Sequence, residues 1–480
     1  MRIHGSGVAD HTVKDIRIAY IGGGSMNWAR ELMCDLALEP RLSGVVRLYD
    51  IDFAAAKANE TIGNALRGDP AARGDWAYEA RHSLKDTLEG ADFVVISILP
   101  GTFEEMESDV HAPEKYGVYQ SVGDTVGPGG IFRAMRAVPM FAEIGDAIRA
   151  YCPDAWVINY TNPMAACTGA LYRAFPEIKA FGCCHELFHM QALMAKMITS
   201  EPDFAGGYAA PGGAPAGGRV SKDEICLNVQ GVNHFIWADQ ASYGTADIMP
   251  LFAKFSAKYA ESGYSLNGDD KDPGNMFRNL NKVCFDLYGR FGAIPAAGDR
   301  HVAEFMPPWY LDSPETAEKF GFTLTPVSYR KLKREAQLRQ TGDILSGRVK
   351  FEIKPSGEEG TEQIKALLGM TELITNVNLP NRGQAAGLPA GAIVETNAVF
   401  SKNAARPIYA GRLPATVNGF VSKHAENQIN IVEAGIKKDA GLAFGVFLND
   451  NLMTLNVGDA EKLFSEMLEN TIKYLDGWQT

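Results

Sequence analysis

A thiol, an imidazole and a carboxylate stand consecutively in Cys184-His185-Glu186, directly after the apolar stretch 178–181, and a second imidazole follows in Asn233-His234. Cys184 and His234 pair a soft donor with a borderline one, a combination suited to a divalent transition metal with open coordination positions. Two protein ligands leave such a site incomplete until substrate or water oxygens join it. Taken singly, the same residues also read as a buried thiol and a hydrogen-bonded core histidine.

Three further polar clusters interrupt the apolar pattern. Asp299, Arg300, His301 and Glu304 place four ionisable groups within six residues, more than a plain structural turn requires. The glycine-rich stretch 120–130 feeds Arg133 and Arg136, whose planar forks suit a carboxylate bidentately, though a solvated helix face is the competing reading. Asn162, in Asn159-Tyr160-Thr161-Asn162-Pro163, ends another apolar run. In open α/β sheets, ligands bind at the carboxyl ends of strands, where these clusters fall.

The fourth chemical feature is the turn Gly22-Gly23-Gly24-Ser25-Met26. Glycines there let the backbone turn sharply and approach a pyrophosphate, while the helix that follows points its amino terminus at the charge. Asn27 stands where a third glycine or alanine is usual, which predicts looser helix–strand packing. Asp50, at the end of the next apolar run, can accept hydrogen bonds from a ribose diol, favouring NAD over its phosphorylated form.

The elements that must hold these groups read as alternating strands and helices. Apolar β-branched runs at 16–21, 45–50, 93–98 and 155–160 predict buried strands, and 27–38 and 52–66 predict helices. That alternation implies a parallel sheet covered on both faces. Residues 206–218 read as a loop, and 361–375 and 428–438 as helices of an α+β portion. The fold class expected is therefore α/β: a Rossmann-type doubly wound parallel sheet followed by an α+β carboxy-terminal portion.

Whole-chain properties exclude several classes. A net charge of −12 argues against nucleic-acid or anionic-membrane surfaces without excluding an anionic small molecule. The first fifteen residues carry no signal-like apolar run, and nothing approaches the roughly 18 apolar residues of a membrane span. The seven cysteines are odd in number and scattered, so a reducing cytoplasm is expected, with most of them in the core. On these residues alone a malate-type dehydrogenase and a silent NAD-binding regulator both remain open.

The ordered set 18–35, 159–164, 182–185, 233–235, 298–305 and Asn378-Leu379-Pro380-Asn381 resembles glycoside hydrolase family 4, the NAD- and metal-dependent glycosidases, across nearly the whole chain. The resemblance implies a lactate/malate-dehydrogenase-like fold with an NAD-binding domain at 1–205 and a substrate, metal and oligomerisation domain at 206–480. It implies that Cys184 and His234 bind a divalent metal, usually manganese, and that Asn162 contacts substrate. Cys184-His185-Glu186-Leu187 is similar to the α-galacturonidase branch, although Leu187 replaces an expected valine; α-glucuronidase and α-galactosidase are the neighbouring specificities. The implied reaction departs from two-carboxylate hydrolysis: NAD oxidises C3, a base removes the C2 proton, the aglycone leaves by elimination, water adds, and the hydride returns. Asp299 is the first expectation for the base and His301 the second, with Tyr288 and Tyr310 flanking; His185 completes the expected catalytic set. Arg133 or Arg300 would hold a uronate carboxylate, with Glu186 beside it. A small carbohydrate, no nucleic acid, no membrane and a homo-oligomer are the expected partners.

Overall fold

The run Ile16–Ile21 alternates its side chains between two dry faces, so a strand here must lie deep in a sheet. The computed structural model, which describes residues 11–200, 220–266, 268 and 275–478, bears this out. Strand β1 (Val13–Ile21) sends Ala19 and Ile21 to one core with Val94 and Ile96, and Ile16, Ile18 and Tyr20 to another with Phe93 and Val95. Helix Gly127–Tyr151 covers the first face and helix Trp28–Leu38 the second.

The amino-terminal strands are β1, β2 (Leu42–Tyr49), β3 (Asp75–Arg81), β4 (Phe93–Ile96), β5 (Trp156–Asn159) and β6 (Lys179–Gly182). They pair in parallel in the order β3-β2-β1-β4-β5-β6, the doubly wound order with its switch point between β1 and β4. The carboxyl ends of β1, β4, β5 and β6 open towards the Gly22 turn, residues 97–102, Asn162 and Cys184.

The second part adds β7 (Ile225–Val232), β8 (Phe235–Tyr243), β9 (Ala246–Asp247), β10 (Ile294–Pro295), β11 (Leu373–Pro380), β12 (Ile393–Ser401) and β13 (Ala404–Pro407). These strands are antiparallel, and β11 pairs with β6, so a single sheet runs through both parts. Helix Ala415–Lys437 seals the junction by packing Ile431, Val432 and Ala434 into the core beneath helix Gly127–Tyr151. The boundary expected at 205/206 and the loop expected at 206–218 lie outside the described residues.

The helix expected at 361–375 is shorter. It runs Gly360–Leu367 and stops before Gly369, whose φ of +81° is left-handed, a conformation that ends helices. The remaining residues from Leu373 onward enter β11, where Val377 and Leu379 gain a buried place beside β12. Short-range pattern favoured continuing the helix; the neighbouring strand overrides it. Six of the seven cysteines are buried and Cys226 is half-buried.

Candidate active site

The glycine turn is built as its residue types require. The N–H groups of Gly22 and Gly23 both donate to the Tyr49 carbonyl, at 2.9 and 2.8 Å. Gly22 has a φ of +91°, and a Cβ there would lie 1.9 Å from the Ser97 carbonyl oxygen. No other residue fits. Asp50 lies just past β2 and accepts from Gly24 N–H through one oxygen and from Asp52 N–H through the other, each at 2.9 Å. Asn59 Nδ2 ties the Gly23 and Ser25 carbonyls together, and Arg30 fixes Asn59 in turn. Met26 Sδ lies 3.5 Å from the Thr341 hydroxyl, in helix Val327–Leu345. Asn27 precedes helix Trp28–Leu38 with no side-chain cap, so the first N–H groups of that helix stay available to a ligand. A dinucleotide pyrophosphate fits this cradle, and Asp50 fits a ribose.

The metal-type residues meet at the other side of β6. His234 sits in the tight turn between β7 and β8 with φ of +65°, a conformation uncommon for a residue with a side chain. Its Nδ1 lies 3.0 Å from Thr125 Oγ1, which lies 2.7 Å from Asp124 Oδ1. The hydroxyl has a single proton and the carboxylate can only accept, so Thr125 donates to Asp124 and receives the proton of His234 Nδ1. The Nε2 lone pair is thereby left free, the tautomer in which an imidazole binds metal. Burial opposes the charge of Asp124, yet the Arg133 guanidinium and the Thr125 hydroxyl hold its carboxyl below the usual range.

Asn233 reaches across to both Cys184 and Glu395. Glu395, on β12, is fully buried and accepts from Asn233, Asn376 and Asn378 Nδ2 at 3.2, 2.5 and 3.0 Å. Asn376 also holds the Cys184 carbonyl at 3.2 Å. Burial pushes the Cys184 thiol well up, and the carboxylates of Glu395 and Glu186 push it further. A thiolate here needs a cation beside it. Among the described residues no three His, Cys, Asp or Glu side chains converge on one point, in keeping with a site whose remaining ligands are not protein.

The His301 ring tilts against that of His234, with centroids 4.0 Å apart and planes at 34°. Burial first, then the His234 neighbour, hold its imidazole down at about 3, so the ring is neutral. Glu186 Oε1 is 3.6 Å from His301 Nε2, which favours the proton on that nitrogen and leaves the lone pair on Nδ1, a buried atom with no partner. Glu186 Oε2 accepts from Gly298 N–H at 2.9 Å, so the carboxylate docks helix Asp299–Phe305 against helix Glu186–Ser200. Against the cost of burial, the protonated His185 and the Gly298 N–H draw its carboxyl below the usual carboxylate range.

Two expected residues are placed differently. Asp299 turns away from this cluster: its two oxygens accept from the N–H groups of Val283 and Cys284, at 3.2 and 3.0 Å, and cap helix Lys282–Phe291. Arg300 is committed to its own surroundings, donating to the Ser121 carbonyl and Thr325 hydroxyl at 3.2 and 2.7 Å while its guanidinium lies on the Phe277 ring. Acid and base types are visible in a sequence, but a short helix shows its residues to opposite sides, and only packing decides which side faces the site. Tyr310 likewise bonds Asp286, at 2.6 Å, and Tyr288 packs against Phe252.

Asn162 precedes a cis peptide bond to Pro163; its carbonyl accepts from Arg133 Nε at 3.0 Å, and its side-chain Oδ1 is buried without a partner. Arg136 is structural, forming a fully buried two-toothed pair with Asp109 and donating to the Pro100 carbonyl at 3.1 Å. His185 pairs with Glu358 at 2.8 Å, which raises it to about 9, and its ring tilts against Trp28. Thr125, Glu358 and Glu395 went unassigned because nothing local marks them; Asn378 belongs to a recognised motif whose purpose becomes clear only opposite Glu395.

Comparison with known proteins decides what this assembly is. Residues 17–200 match the model of family 4 glycosyl hydrolases, and residues 229–453 match that family's C-terminal domain. The chain belongs to glycoside hydrolase family 4. Among relatives of this family 4 glycosidase, an α-galacturonidase of Thermoanaerobacterium saccharolyticum is 53% identical over 98% of both chains. One from Bacillus subtilis is 51% identical over 95% of this chain and 98% of its own. A solved Bacillus subtilis candidate glucosidase superposes with a TM-score of 0.88 at 50% identity, covering 95% of this chain and all of its own. A 6-phospho-α-glucosidase from gut microorganisms, solved with NAD and Mn2+, shares the fold with a TM-score of 0.77 at 18% identity over 96% and 99% of the two chains.

Proposed function

We propose that this family 4 glycosidase cleaves α-linked galacturonides with the help of NAD and a divalent metal, manganese by preference. The observation that carries the reading is the Asp124–Thr125–His234 relay, which leaves an imidazole lone pair on the residue next to Asn233, whose side chain reaches Cys184. Relatives that carry the name α-galacturonidase match end to end at 46–53% identity, whereas an α-galactosidase of Bacillus subtilis matches at 26%.

When bound, NAD supplies reversible oxidation at C3 of the sugar and the metal supplies Lewis-acid polarisation of its hydroxyl oxygens. The chain's own residues do the rest. Gly22, Gly23, Gly24, Ser25 and Met26 approach the dinucleotide, Asp50 orients its ribose, and Cys184 and His234 hold the metal. Asn162 Oδ1 accepts from a sugar hydroxyl. His301 takes the C2 proton at Nδ1, in place of the Asp299 first expected, and Glu186 keeps the other nitrogen protonated and the ring aimed. His185 is held by Glu358 against Trp28. The enzyme acts as a cytoplasmic homo-oligomer with its binding domain at 1–205; among the described residues no helix is long and apolar enough to cross a membrane.

The test is turnover of nitrophenyl α-galacturonide with NAD+ and Mn2+ in deuterated water. Deuterium at C2 of the released sugar, with no net absorbance change at 340 nm, is the expected result. Net NADH formation would make the protein a dehydrogenase, and cleavage of the neutral galactoside in preference to the uronide would overturn the substrate.

A further inference from the structure

A uronate differs from a neutral sugar by one planar charge, so the enzyme needs guanidinium groups whose hydrogen-bond donors are not already taken. Arg300 fails this condition, as its terminal nitrogens are bound to Ser121, Thr325 and Met276. Arg133 meets it: Nε holds the Asn162 carbonyl, and its terminal nitrogens make no hydrogen bond among the described residues. Arg330, in the first turn of helix Val327–Leu345, meets it more fully. It has no ion pair or hydrogen bond among the described residues, and its Nε is buried without a partner.

The position of Arg330 is set from both sides. Arg300 grips Thr325 just before the helix begins, and His111 Nε2 accepts from the Val327 N–H at 3.2 Å. Tyr329 packs edge-on against Phe277, the ring on which Arg300 lies. The neighbouring cation Lys331, in contrast, is paired with Glu104 and Glu107, both at 3.1 Å. The helix thus satisfies one basic side chain and leaves the adjacent one, whose charge is felt by Arg133 and Arg300, without an ion pair among the described residues.

The geometry points to Arg330, acting with Arg133, as the group that binds the C6 carboxylate of the substrate and so sets the preference for uronides. This rests on the galacturonide reading above. Burial lowers Arg133 against the pull of Asp124 and Asp109, with the like charges of Arg136 and then Arg330 lowering it further, and burial and then Arg330 lower Arg300, a repulsion that a bound carboxylate relieves. Asp124, the acidic group closest to Arg133, is already engaged by Thr125 and faces His234 and His301. Arg300 then serves as a positioning residue, holding Thr325 and through it the start of the helix that carries Arg330.

The test compares nitrophenyl α-galacturonide with its C6 methyl ester, the same sugar without the charge, in the wild type and in Arg330→Gln and Arg330→Lys. Wild type favours the acid. Losing a charge-assisted pair lowers the acid-to-ester ratio of kcat/KM by about 10- to 100-fold in Arg330→Gln. The change resides in KM for the acid. Arg330→Lys recovers part of the preference, because it restores charge without the fork. Thermal midpoint and NAD binding report that each variant is folded. Wild-type cleavage of the acid with an unchanged ratio in Arg330→Gln overturns this proposal alone. A wild type that neither cleaves nor binds the acid overturns the galacturonide reading and this proposal with it.

Discussion

Replacing Thr125 with valine removes one oxygen, keeps the side chain's shape, and breaks the relay behind His234. In the native site that oxygen receives the proton of His234 Nδ1 at 3.0 Å and donates its own to Asp124 at 2.7 Å. In the variant the Nδ1–H faces a methyl group, and a buried donor without an acceptor costs about 1–3 kcal/mol. The imidazole can avoid this by moving its proton to Nε2, but that occupies the lone pair a metal needs. The free site can escape the cost by that shift while the metal-bound site must keep Nδ1 protonated, so Mn2+ binding weakens, by up to about 5- to 150-fold from that energy range. Outer partners of metal-bound histidines contribute about 10- to 100-fold in metal affinity, the same interval. Calorimetric titration of Thr125→Val with Mn2+ in the presence of NAD+ measures the change directly, and turnover against metal concentration should show a matching shift in the half-saturating level. Affinity within about twofold of wild type would refute the reasoning, because it would mean that the relay does not set the tautomer.

Further outcomes follow from neighbouring contacts. Gly22→Ala drives a methyl group into the Ser97 carbonyl at a positive φ, so NAD binding followed by fluorescence is lost and the thermal midpoint falls; retained NAD binding contradicts the turn geometry. Asp299→Asn puts an amide against one of two helix N–H groups, lowering stability by about 1–2 kcal/mol in denaturant titration while kcat changes by less than about tenfold. A collapse of kcat at unchanged stability would instead restore Asp299 as the base. Glu304 is fully buried, and burial holds its carboxyl up at about 7 although Val122 and Gly123 N–H groups pull it down. Its folded pKa exceeds the unfolded one, so its stabilisation is present below about pH 4 and is lost as pH rises through about 7. Glu304→Gln abolishes that titration, and between about pH 5 and about pH 8 the variant should lose less stability than wild type; parallel losses would show that the group does not titrate in this range.

How legible the molecule was depends on how local each cause is. The Gly22 turn was readable because the conformation at one residue excludes every side chain, and Cys184 and His234 stood out because few residue types are metal-ligand types at all. The parallel strands were readable because continuous apolar runs have no other home. The end of the helix at Leu367 was obscured, since β12 draws Leu373 onward into the sheet although the local pattern continues the helix.

What the sequence determined by itself was therefore the chemistry in outline: a dinucleotide turn, a thiol–imidazole pair, an asparagine before proline, and arginines enough for an anion. The partners each of these groups keeps came only from tertiary structure. Asp299 and His301 are two residues apart and both able to take a proton, yet one caps a helix and the other lies on the metal-type histidine. Arg300 and Arg330 are chemically identical, yet one is held by carbonyls and a hydroxyl and the other has no anion. Residue type sets what a side chain can do, and the partners that folding brings to it decide which of those capacities remain free.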